Sequence, residues 1–151
     1  MNMSLPTTAL PPSGVWDGRR HLFPVRVYYE DTDAAGIVYY ANYFRFVERA
    51  RTEMLRTLGI ELSVAPETLG VIFVVHSGEM QYRRPAKLDD TLTVETVLCF
   101  LGVASLDARQ TVRRGDDEIF QCTLKLASID AAGKSARMPE ALRAKLATFV
   151  E

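Results

Sequence analysis

Tyr40-Ala41-Asn42-Tyr43-Phe44-Arg45-Phe46-Val47-Glu48-Arg49-Ala50-Arg51-Thr52-Glu53-Met54-Leu55-Arg56-Thr57-Leu58 is the stretch on which the fold turns. It contains neither Gly nor Pro, Asn42 stands where a cap is wanted, and Gly59 follows its end. The pattern predicts a single helix of about four to five turns. Tyr43, Phe44, Phe46, Val47, Ala50, Met54, Leu55 and Leu58 cover more than one stripe of it, which suits a helix embraced by a sheet better than one lying on a flat layer. Glu48 with Arg51, Arg49 with Glu53 and Glu53 with Arg56 stand three or four apart, the spacing of solvated ion pairs on a helix.

Outward from this helix the rhythm changes to a period of two. Phe120, Cys122, Leu124 and Leu126 alternate with Gln121, Thr123 and Lys125. Leu92, Val94, Thr96 and Leu98 alternate with Thr91, Thr93 and Glu95, and Ala104, Leu106 and Ala108 with Ser105, Asp107 and Arg109. Gly102 and Arg114-Gly115-Asp116-Asp117 supply turns. Before the helix, Phe23 to Tyr29 reads as one strand. After it, a loop containing Pro66 leads to four more, ending near Asp130, and a short helix from about Glu140 to Phe149 follows Pro139. The expected class is α+β: an antiparallel five-stranded sheet wrapped around one long central helix. Residues 1–20, with Pro6, Pro11 and Pro12 among small and polar neighbours, read as a flexible arm, and 21–151 as a single domain.

Composition narrows the function. With 151 residues, 48% of them hydrophobic, the chain can bury one core but not two, and its halves are too different to be repeats. Eighteen basic against nineteen acidic residues leave a net charge of -1, so no global field attracts nucleic acid or an acidic membrane, and an anionic ligand must be held by a local cluster. Cys99 and Cys122 have no Cys-x-x-Cys spacing and read as reduced core thiols. Without a membrane-length apolar run or a signal-peptide pattern, the expectation is a cytoplasmic protein with no stable membrane insertion.

The chain lacks a Gly-x-Ser-x-Gly elbow, His-Glu-x-x-His, a phosphate-binding Gly-rich loop and Gly-x-Gly-x-x-Gly. Of its two histidines, His21 falls in the loose N-terminal region and His76 in an apolar strand, where packing is the simpler role. Asp31-Thr32-Asp33 before Gly36 has the opening of a calcium loop, but Ala35 and Asn42 stand where further ligands belong, so neither a metal nor another cofactor is expected. What stands out is three carboxylates, Glu30, Asp31 and Asp33, just before a helix start. Unpaired amides at such a start suit an oxygen that becomes anionic in acyl transfer, a nearby carboxylate can act as base or nucleophile, and Gly36 lets backbone approach a carbonyl. Capping and turn formation are the structural alternative.

Tyr29-Glu30-Asp31-Thr32-Asp33-Ala34-Ala35-Gly36-Ile37-Val38-Tyr39-Tyr40-Ala41-Asn42-Tyr43 resembles the signature of the 4-hydroxybenzoyl-CoA thioesterase family of hotdog-fold proteins. Through Phe46 to Glu53, Leu58-Gly59-Ile60 and Tyr82 to Asp90 the chain is most similar to the Tol-Pal-associated acyl-CoA thioesterase branch, over about Phe23 to Asp130. The resemblance implies hydrolysis of acyl-CoA, with Asp33 as catalytic carboxylate, Asp31 supporting it at the substrate site, the Tyr40 amide polarising the thioester carbonyl, and Gly36 and Val38 lining the approach. It also implies that Arg83, Arg84 and Lys87 meet CoA phosphates, and that the chain forms a homodimer or a homotetramer made of two dimers. Hotdog dehydratases use a catalytic His that this segment lacks. The competing reading is a non-catalytic module that binds acyl-CoA or acyl carrier protein, or that serves as a scaffold.

Overall fold

The predicted helix is present as α1, Asn42–Thr57, in the computed structural model, which describes residues 9–151. Ala41, not Asn42, occupies its N-cap. The Asn42 side chain donates instead to the Asp31 carbonyl at 2.9 Å, so it ties the helix to the preceding loop. At the far end Gly59 adopts φ 81, its amide reaching the Arg56 carbonyl and that of Ile60 reaching Leu55, both at 3.0 Å. This left-handed closure is the one glycine makes without strain, and buried Ile60 seals it beside Leu55.

One broad face of α1 is buried, carrying Tyr43, Phe46, Val47, Ala50, Arg51, Met54 and Leu55. Arg45, Glu48, Arg49 and Arg56 remain exposed on the other side, so within one chain the sheet embraces a wide stripe of the helix without encircling it. The expected Glu48–Arg51 and Glu53–Arg56 pairs form at 2.8 and 3.2 Å. Glu53 takes the Ser13 hydroxyl at 2.8 Å, and among the described residues it makes no pair with Arg49.

The sheet is antiparallel throughout. It comprises β1 (Val15–Asp17), β2 (Arg20–Arg26), β3 (Ile72–Tyr82), β4 (Thr91–Leu101), β5 (Ser105–Arg114) and β6 (Asp117–Ile129), in the spatial order β1-β2-β4-β5-β6-β3. Six strands therefore replace the five expected. The extra one, Val15–Asp17, is too short to show a periodic signal, and it registers on β2 with Trp16 opposite His21. Of the arm expected over residues 1–20, residues 1–8 lie outside the described residues.

His21 is not loose: it is fully buried, with Nε2 2.7 Å from the Ser13 carbonyl, and burial pulls its pKa down. Trp16 stacks on Phe149 with ring centroids 3.9 Å apart.

The alternating residues of β4, β5 and β6 point inward as predicted, and Phe46 and Phe120 are fully buried in the half of the core nearest the start of α1. In the other half, Leu142 and Leu146 of α3 (Glu140–Ala147) pack against Met54, Leu55 and Leu98. The short α2, Ala65–Thr68, precedes β3.

Under α1 the core contains a polar network. Gln110 accepts from Arg51 at 2.7 Å and donates to the Val47 carbonyl and the Thr96 hydroxyl at 2.9 and 3.0 Å. With its partners satisfied, such a buried group orders the core rather than weakening it. Burial pushes the Cys122 thiol up to about 11, whereas Cys99 is only half-buried, contrary to the expectation of two core thiols.

β3 pairs with β6 alone and leaves most of its residues exposed, His76 among them. Among the described residues, no helix is long and apolar enough to cross a membrane. Because Phe46 has no solvent exposure, Phe46→Ala is expected to cost about 3–5 kcal/mol in urea unfolding; a loss below about 1 kcal/mol would place that ring outside the load of the core.

Candidate active site

The loop before α1 is held from inside by Asp31, which is 7% exposed. Its Oδ2 accepts the Tyr28 amide at 2.8 Å, and its own amide donates to the Tyr28 carbonyl at 3.0 Å. The Asp31 carbonyl accepts two further bonds, from the Tyr39 amide and the Asn42 side chain, both at 2.9 Å. Asp31 is thus the internal brace that joins the loop to the helix start.

Residues 32–38 form a small hairpin. Thr32 bridges Val38, the Asp33 amide donates to the Ile37 carbonyl at 2.9 Å, and the Gly36 amide donates to the Asp33 carbonyl at 3.0 Å. Gly36 has φ 77, the left-handed position that ends a three-residue hairpin loop, and the space where a Cβ would sit is empty. The Asp33 carboxylate is exposed at this turn, with Oδ1 accepting the Ala35 amide at 2.9 Å. Val38 turns its side chain into the core, so what it lends the loop is backbone: its amide donates to Ala86 at 2.9 Å.

That bond and the Ile37–Lys87 bridge bring the Pro85–Lys87 segment against the hairpin. Lys87 therefore lies beside the Asp33 loop. Arg83 pairs with Glu118 at 3.0 Å and Arg84 with Asp117 at 3.6 Å, exposed contacts of small worth. The Lys87 turn is anchored by Asp90, which accepts the Lys87 amide at 2.8 Å and Arg114 at 2.7 Å. Partial burial pushes the Asp90 carboxyl up, but the Lys87 amide and the Arg114 guanidinium outweigh it and hold the group below its ordinary value.

At the helix start, Tyr39 accepts the Asn42 amide at 2.8 Å and Ala41 accepts the Phe44 amide at 3.2 Å. Among the described residues the Tyr40 amide donates to none, and Tyr40 is 61% exposed. The fold thus gathers Asp33, Gly36, Tyr40 and Lys87 around one hairpin and one helix end, with Arg83 and Arg84 a few residues along the same chain segment. In the single chain this assembly is an open face. An apolar cleft lined by Leu55, Phe73, Val75, Leu106 and Leu126 lies farther along α1, toward β3.

Sequence reasoning missed two contributors. Asn42 read as a cap, and Tyr82, whose hydroxyl donates to the Tyr40 carbonyl at 2.9 Å, carries no local signal of a contact to residue 40. If Asp31 is the brace, Asp31→Ala strands the Tyr28 amide and lowers stability by about 1–3 kcal/mol, whereas exposed Asp33→Ala stays within about 0.5 kcal/mol. Urea midpoints of the two variants check this, and equal losses would contradict it.

Residues 27–146 match the model of the thioesterase-like superfamily. The chain is 45% identical over 108 residues to the acyl-CoA thioesterase YbgC of Haemophilus influenzae, covering 72% of this chain and 79% of that one. It is 43% identical over 97 residues to the acyl-CoA thioester hydrolase YbgC of Escherichia coli, covering 64% and 72%. Among solved structures, "Probable Thioesterase from Bartonella henselae" superposes with a TM-score of 0.76 at 34% identity, over 80% of this chain and 99% of that one. The helix-embracing antiparallel sheet, the match across residues 27–146 and these relatives agree: the chain belongs to the thioesterase-like superfamily of hotdog-fold proteins.

Proposed function

We propose that this chain hydrolyses acyl-CoA to a carboxylic acid and CoA, with Asp33 as its catalytic carboxylate and the Tyr40 amide as its oxyanion donor. Hydrolysis of acyl-CoA follows from the relatives; the observation that carries the residue roles is the unspent Tyr40 amide at a helix start that Asp31 ties to the Asp33 hairpin. The thioester carbonyl lies toward that amide, where the partial positive charge of the helix end favours the oxygen as it becomes anionic. Asp33 either attacks the carbonyl carbon, giving a mixed anhydride that water then cleaves to the free acid and the Asp33 carboxylate, or takes a proton from a water that attacks directly. Collapse of the tetrahedral centre expels the CoA thiolate, a good leaving group, so one carboxylate and one amide suffice.

Gly36 keeps the approach free of a side chain, and Val38 sets the backbone beside it. Lys87, with Arg83 and Arg84, takes the CoA phosphates. We assign 21–151 as the thioesterase domain, preceded by residues 1–20, of which Val15–Asp17 adds β1 to its sheet. Within the superfamily we place the chain in the 4-hydroxybenzoyl-CoA thioesterase family, in its Tol-Pal-associated branch, on the strength of the Tyr29–Tyr43 signature. Its two free thiols and its CoA substrate suit the cytoplasm, and an acyl carrier protein is a second acyl donor.

The open face around Asp33 and the long exposed β3 support a homodimer, or a pair of dimers, in which a second copy walls the site. Sedimentation equilibrium at micromolar concentration is expected to give at least twice the chain mass; a single-chain mass would refute this assembly. For the chemistry, Asp33→Asn is expected to lower kcat/KM for thiol release at least about 100-fold across a panel of acyl-CoAs. Equal rates for variant and wild type would remove Asp33 from the mechanism, and saturable binding of acyl-CoA without thiol release would mark a binding module instead.

A further inference from the structure

We infer that Tyr82 is a positioning residue for this hydrolysis, gripping the Tyr40 carbonyl so that residue 40 presents its amide to the substrate. The inference rests on the reading of Tyr40 as oxyanion donor. It begins with a leftover acceptor. The Tyr40 carbonyl lies one residue before the N-cap Ala41, and the N-cap carbonyl is the first that the helix ladder uses, so no helix amide is due to it. The Phe44 amide donates to Ala41 at 3.2 Å, inside the cap, and the Tyr40 carbonyl takes the Tyr82 hydroxyl at 2.9 Å. The preceding peptide unit is held as well, because the Tyr39 carbonyl accepts the Asn42 amide at 2.8 Å. Residue 40 is therefore clamped on both sides, and the clamp on its carbonyl comes from a different part of the fold.

Tyr82 is built for that reach. It is the last residue of β3 and pairs with Phe120 on β6. Its ring meets Phe120, Tyr43 and Tyr40 with centroids 5.0, 5.8 and 6.3 Å away, all in edge-on arrangements. Three rings thus fix the direction of its hydroxyl. Partial burial raises the phenol's pKa, and a nearby Tyr40 adds to the shift, both favouring the protonated, donating form. The bond itself is solvent-exposed, which gives it little weight in overall stability. Its effect falls on where one amide points, and a misplaced oxyanion donor costs rate while leaving ground-state binding nearly intact.

The test is Tyr82→Phe in the full chain, which keeps the ring stack and removes the hydroxyl. On acyl-CoA substrates kcat is expected to fall about five- to tenfold, with KM within about twofold and an unchanged thermal midpoint. Wild-type kcat overturns the inference, as does a loss that appears only in the thermal midpoint. A second readout needs no turnover: in backbone-assigned NMR spectra the Ala41 amide, which shares its peptide unit with the Tyr40 carbonyl, is expected to shift upfield in the variant while that of Val47 stays in place. An unmoved Ala41 amide also overturns the inference. Wild-type protein inert toward every acyl-CoA would strike at the hydrolase reading, and the amide shift would still decide whether Tyr82 sets residue 40.

Discussion

Everything in this molecule depends on covering one face of α1. Phe46, Val47 and Ala50 have no exposure at all, and only a sheet that curls can reach them together with Tyr43 at one end and Met54 and Leu55 at the other. Burial of this kind contributes roughly 25 cal/mol per Å² of apolar surface, far more than the exposed ion pairs on the opposite face can supply. The curl also decides where the helix ends lie. Its C-terminal end is closed by Gly59 and covered by α3, whereas its start emerges at the surface, where the Tyr40 amide donates to none of the described residues.

That emergence sets a second requirement. A loop carrying Glu30, Asp31 and Asp33 must lie against the helix start without its charges collapsing onto the Tyr40 amide. Asp31 meets it by turning inward to the Tyr28 amide, with its carbonyl occupied by Tyr39 and Asn42, and Asp33 is kept out at the hairpin turn by its bond to Ala35. Two acidic residues two positions apart thus have opposite environments, one buried and structural, the other exposed and available. The separation comes from backbone geometry, since the intervening Thr32 bridges Val38 and turns the chain.

Much of this was legible in the sequence, for physical reasons that differ by element. The limits of α1 were readable to within two residues because Gly59 closes it locally, and β4, β5 and β6 because each has one wet and one dry face. β1 escaped notice: three residues hold a single alternation, and what fixes Trp16 is Phe149, at the other end of the chain. His21 looked loose for the same reason. In the hairpin, the turn through Asp33 and Gly36 was visible because it is closed by bonds between neighbours a few residues apart. Tyr82 and Asn42 were not, since a tyrosine on a strand gives no hint that it serves a carbonyl 42 positions earlier, and an asparagine at a helix start looks like a cap whichever way it turns.

The two borders of the sheet are unequal, and the inequality limits how copies can join. β3 offers eleven residues of edge, whereas the opposite border ends in β1, three residues long and pinned by its tryptophan. A sheet with two long borders is a template for endless growth into fibres. With one long border, a copy joining there across a twofold axis would use the template up, so the same exposed strand that could take a neighbour would also end the growth.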